Sequence, residues 1–230
     1  MTEADSRSAR VEDHEELQRD AQAPEGSRRL EVLFGGGGDP LVFGLPVFVS
    51  GSLVLGFALI GMVHVPDSLG AVLPETTFAT GLGEFVTALW AIGLGQTMVA
   101  AIFGLFAAFW FSLFALLMGT VIHASWFNVL PADATATLQM FFIAWLIVFV
   151  FLTLGILRLP LSYILVMVFV DIAVLFVLLA VSSGVQLFFV IGGIAVLAFC
   201  AVGLYAFLNT AWVSTGAKRA WPPLGPPILK

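Results

Sequence analysis

Four uninterrupted apolar runs, at residues 41 to 64, 135 to 157, 160 to 182 and 185 to 210, set what this chain can fold into. Each reaches the length of about 20 residues with which an α-helix crosses a hydrocarbon core about 30 Å thick. A fifth block, residues 76 to 119, is about twice that length. It breaks at Gly93-Leu94-Gly95-Gln96-Thr97, where two glycines and two polar side chains interrupt the pattern. Division there gives helices near 76 to 94 and 98 to 119. The expected fold is therefore all-α, a polytopic membrane protein with six transmembrane helices.

Charge supports that count independently, because Lys and Arg collect on the cytoplasmic side of short loops. Arg7, Arg10, Arg19, Arg28 and Arg29 precede the first span, Arg158 lies between the fourth and fifth, and Lys218, Arg219 and Lys230 follow the sixth. With six spans and the N-terminus inside, all nine basic residues are cytoplasmic. Leaving 76 to 119 whole would put the basic ends on opposite sides. The predicted location is the cell inner (plasma) membrane, with both termini cytoplasmic.

The chain is 60% apolar and only 10% charged, and its mean hydropathy is +1.06, so water is not the solvent for most of its surface. One membrane domain accounts for most of the 230 residues. Residues 1 to 38 are polar and close in four glycines, a composition that cannot fold alone, and read as a disordered cytoplasmic tail. The six-helix domain is placed at 39 to 212 and a cytoplasmic C-terminal tail, Pro-rich from Trp221 to Pro227, at 213 to 230. Ten of the fifteen acidic residues precede position 40, so the net charge of −6 belongs to the tail and gives no nucleic-acid reading. The N-terminus is too polar and acidic for a cleavable signal peptide, so the first span is expected to stay in the protein.

Catalytic chemistry has nothing to stand on. The single Cys200 permits neither a disulfide nor a Cys-based metal site within one chain. The histidines are His14 in the tail and His64 and His123 at the outer ends of spans 1 and 3, where they either meet at a vestibule or touch headgroups. No enzyme activity, cofactor or metal is expected. Gly51 and Gly56 in span 1 and Gly192, Gly193 and Gly203 in span 6 allow close helix approach, either within one protomer or between subunits.

Asp39-Pro40-Leu41-Val42-Phe43-Gly44-Leu45 resembles the N-P-x-P-L-G-L signature that opens the first helix of the acetate uptake transporter (acetate/succinate permease) family, with Asp in place of Asn. Gly95-Gln96-Thr97 resembles its G-N-T turn, Ala108-Phe109-Trp110-Phe111-Ser112 its G-x-F-W-L-[ST] segment, and Val174 to Ala180 its fifth-helix run. Tyr205, Pro222 and Gly225 fit its C-terminal end. The likeness covers roughly residues 39 to 226, with the motifs in order.

The resemblance implies a transporter or channel for acetate and similar small monocarboxylates, assembled as a homohexamer in the lipid bilayer with Gly-rich faces at the subunit contacts. Each protomer would hold its own pore, narrowed at mid-membrane by Phe48, Phe106 and Ile172. Independently of the family, each lies roughly 11 to 18 Å in from the cytoplasmic start of its span at about 1.5 Å per residue. Asp39, Pro40, Gly44, Leu45, Gln96 and Thr97 are the expected substrate-binding residues, where helix ends and polar backbone can hold a carboxylate. Passage of ammonia or another small nitrogenous solute and a non-transporting membrane scaffold are the alternatives.

Glu84 and Asp171 are the two ionisable residues deep within the predicted spans. Charge at mid-bilayer is costly and normally faces a cavity or partner. Two ionised carboxylates would also repel an anion. At least one is therefore expected to be protonated as substrate passes, its proton able to accompany the acid in symport, against the alternative of a neutral carboxyl hydrogen-bonded purely for packing.

Overall fold

A computed structural model describes residues 37–65, 67–120 and 129–229. The proposed disordered tail, apart from its last two residues, and His14 and His123 lie outside them. Six helices follow one another: α1 Leu41–Phe57, α2 Leu82–Gly93, α3 Thr97–Thr120, α4 Ala134–Gly155, α5 Leu161–Ser183 and α6 Gln186–Ser214. No strand occurs among the described residues. Five of these stretches are long and apolar enough to cross a membrane.

The α2 crossing is built differently. Seven π-helical residues, Glu75–Gly81, run directly into the twelve α-helical residues of α2. The turn expected at residues 93 to 97 is present: Gly95 takes φ +69°, a left-handed conformation suited to glycine. Gln96 then starts α3 by accepting the Ala100 N–H at 2.9 Å.

The helices close into a ring in sequence order, α6 returning to α1. In lipid, close van der Waals approach and interhelical hydrogen bonds hold such a ring together. The glycines supply the approach. An added Cβ at Gly193 would stand 2.8 Å from Leu59 Cβ, and one at Gly203 would stand 2.9 Å from Val49 Cγ2. Gly51 meets Thr80, Gly56 meets Leu197 on α6, and Gly192 meets α5. The expectation of Gly-rich faces at subunit contacts is thus corrected, because all five glycines are used within the protomer, where a side chain would drive neighbouring helices apart.

The C-terminal segment folds back on the bundle. Asn209 Nδ2 donates to Pro222 C=O at 2.6 Å, Tyr205 O–H to Pro223 C=O at 2.7 Å, and Ser162 Oγ to Leu224 C=O at 2.9 Å. Leu229 N–H reaches Leu157 C=O at 3.0 Å. These bonds strap residues 222 to 229 across the ends of α4, α5 and α6.

Candidate functional site

Two cavities lie inside the ring. The proximal one, at the end where α1 begins, has a volume of about 220 Å³; the distal one is about 100 Å³. Both exceed the roughly 10–15 Å³ that a single water needs. Phe48 and Phe106 line both cavities and are 4% exposed. They form the wall between them.

The odd-numbered helices supply most of the lining at helical spacing. Along α3 the stripe runs Val99, Ile102, Phe103, Phe106, Phe109, Trp110, Leu113 and Leu117; along α5 it runs Tyr163, Val166, Met167, Val170, Ala173, Val174, Val177 and Val181. Steps of three and four residues keep one face of each helix on the axis. On α1, Leu41, Leu45 and Phe48 continue to Leu55, and Leu59 follows in the π-helical turn Ala58–Met62.

An aromatic chain crosses the bundle at the wall. The Phe48 ring stacks on Phe199 of α6 at 5.2 Å between centroids and meets Phe106 edge to face at 5.2 Å; Phe106 stacks on Phe149 of α4 at 4.8 Å. Such pairs add about 0.5–1.5 kcal/mol each beyond buried area. The wall is therefore held in place by four helices. A hydrated ion would have to shed water against rings that return no hydrogen bond.

The model of the GPR1/FUN34/yaaH family matches residues 35–219, which takes in all six helices. The chain belongs to the GPR1/FUN34/yaaH family. The meiotically up-regulated gene 86 protein of Schizosaccharomyces pombe is 30% identical over 122 residues, which are 51% of this chain and 38% of that protein. This chain thus spans well under two thirds of that relative's length. The structure of the bacterial acetate channel SatP is similar in fold, with a TM-score of 0.71 over 82% of this chain and 99% of that one, at 18% identity. The motif resemblance to the acetate uptake transporter family agrees with the family match.

In this GPR1/FUN34/yaaH protein, Phe48 and Phe106, two of the three residues expected at the constriction, line both cavities, and Ile172, the third, is not with them. Ile172 is half-buried and lines neither cavity. At about 100° per residue it is turned some 200° from Val170, the α5 residue on the cavity face. The aromatic partners Phe149 and Phe199 were missed.

Of the expected substrate-binding residues, Leu45 lines the proximal cavity. Asp39 lies just before α1, its Oδ1 accepting the Leu41 N–H at 2.9 Å. Pro40 is buried at the start of α1, and Gly44 is packed tightly against Thr87 and Phe103. Gln96 and Thr97 form the α2–α3 turn and line neither cavity.

The two deep carboxyls differ sharply. Glu84 is 0% exposed and lines the proximal cavity. Asp171 is half-buried between α5 and α4, where Thr153 Oγ1 donates to its Oδ2 at 2.7 Å, and it lines neither cavity.

Proposed function

We propose that this protein passes acetate and similar small monocarboxylates through the protomer axis, by way of the two cavities and the Phe48–Phe106 wall. The wall carries the reading: an interior route lined mostly by α1, α3 and α5, interrupted at one level by two large apolar rings, would discriminate by aperture and by the cost of dehydrating charge. A neighbour described as an acetate channel shares the fold, and membership in the same family as the motif resemblance supports the choice of substrate.

The proximal cavity opens toward the cytoplasm in this reading, both termini being cytoplasmic in an inner (plasma) membrane. In this reading Glu84 takes part in proton movement with the acid, which its position on the proximal cavity supports, whereas Asp171, bonded to Thr153, serves α4–α5 packing. Assembly as a homohexamer in the bilayer, one pathway per protomer, belongs to the same proposal. Native mass spectrometry in detergent tests that stoichiometry.

Uptake of labelled acetate by proteoliposomes, compared with labelled methylammonium and run with and without a pH gradient, tests the function. Acetate accumulation that follows an inward proton gradient is expected. Uptake of methylammonium without acetate would replace the carboxylate reading with that of a nitrogenous solute, and uptake of neither would leave a scaffold role.

A further inference from the structure

We propose that residues 222 to 229 frame the rim of the proximal cavity: by gripping Leu157, Leu161 and Ser162 they hold Leu159 and Tyr163 at the width that admits a small monocarboxylate. This deepens the acetate reading, and its selectivity claim rests on that reading.

The rim is made by the first turns of the odd-numbered helices and by the link between α4 and α5. Leu41 opens α1, Val99 and Tyr163 lie in the first turns of α3 and α5, and Leu159 belongs to the link. Along residues 156 to 163 two sets of side chains are interleaved. Ile156, Leu159 and Tyr163 line the cavity, whereas Leu157, Leu161 and Ser162 meet the C-terminal segment. Neither set can shift without carrying the other.

Local chemistry explains why the segment docks there. Pro160 is the N-cap of α5 and brings no side-chain acceptor, so the first N–H groups of that helix need one from elsewhere. Leu224 C=O supplies it, accepting the Ser162 N–H at 3.0 Å and the Ser162 O–H at 2.9 Å. The two preceding carbonyls accept from Asn209 and Tyr205 of α6, and both belong to prolines, which leave no N–H in need of a partner. Gly225 takes φ +80°, and an added Cβ there would stand 3.0 Å from Leu161 Cβ, so the segment passes the first turn of α5 at backbone distance. The Leu229 N–H then closes on Leu157 C=O.

This side of the ring needs such a frame. α4 packs chiefly on α5 and only lightly on α3, so its proximal end has little else to fix it. The segment joins that end to α5 and α6 at the level of the rim.

The test uses the full chain carrying Cys200→Ser and Leu159→Cys, alone and with Ser162→Ala plus Tyr205→Phe, each of which deletes one hydroxyl donor to the segment. Alkylation of position 159 by a small maleimide is followed in detergent with the melting temperature, and butyrate uptake relative to acetate in proteoliposomes. Two lost bonds of about 1 kcal/mol each predict alkylation at least about ten-fold faster, with a several-fold rise in the butyrate-to-acetate ratio. A chain ending at residue 221 should change in the same direction and further. Alkylation within about two-fold of the parent in both the paired variant and the shortened chain overturns the frame. Equal acceleration at Val181→Cys, which lines the distal cavity, means general loosening and overturns it too. Faster alkylation at 159 with an unchanged uptake ratio removes the selectivity role. Wild-type protein that takes up neither acid removes the acetate reading and the selectivity claim with it, and the alkylation rates still decide the frame.

Discussion

Thr80 Oγ1 accepts the main-chain N–H of Gly51 at 3.0 Å across the α1–α2 interface. The same hydroxyl donates to Val47 C=O at 2.7 Å, so it bridges a donor and an acceptor that stand one turn apart on α1. Pro46, which lacks an N–H, removes the ladder bond to Val42 C=O one turn earlier. A π-helical residue of the second crossing thus fixes the first helix one turn from Phe48.

Gly51→Ala should therefore destabilise the bundle by about 1–3 kcal/mol, because the new methyl group would overlap Thr80 Oγ1 and crowd Thr76. Thermal unfolding in detergent measures it. Adding Thr80→Ala should recover part of the loss, since the overlapping oxygen is gone; fully additive losses would show that the two residues do not share this contact.

Proton participation should show in the pH profile of acetate uptake. Glu84 and Tyr163 are the titratable side chains lining the proximal cavity. Glu84→Gln is expected to shift or flatten the profile. Asp171→Asn, which keeps a partner for Thr153, is expected to leave it unchanged. Wild-type profiles in both variants would return Glu84 to a packing role.

How much of this was legible in the residues follows from what each inference needed. Helix number and the 93 to 97 turn needed only hydropathy, basic-residue placement and two glycines, all visible along the chain. Phe48 and Phe106 followed from motif position and depth. Ile172 failed because depth fixes how far along a helix a residue lies and says nothing of rotation, which neighbouring helices decide. Leu138, Phe142 and Phe149 do form a helical stripe on α4, continued by Ile156 just past its end, but nearly every other α4 position is apolar too, so no polar face marks it out. The π-helical start of the second crossing carried the signal of Thr76, Thr77 and Thr80, three buried hydroxyl residues in one short stretch. The enclosure of Glu84 depends on side chains from α1 and α3 and could come only from the fold.

Topology has its own test. With Cys200 replaced by Ser, single cysteines introduced at the exposed positions 133 and 219 should react with an impermeant thiol reagent from opposite sides. Position 133 is expected to label from outside the cell, 219 only after the membrane is opened. Labelling of position 219 from outside would invert the orientation and exchange the roles of the two cavities.

The central claim is that Phe48 and Phe106 are the wall between the cavities, and paired flux measurements on Phe48→Ala and Phe106→Ala address it most directly. Each substitution deletes a ring that both cavities share, at a stability cost of about 3–5 kcal/mol, so protein incorporated into liposomes must be matched between variants. Uptake of acetate and of a longer monocarboxylate such as butyrate should then be compared with wild type. The account predicts a several-fold gain in the longer acid relative to acetate, or a raised leak, in both variants. Wild-type rate and selectivity in both would contradict it.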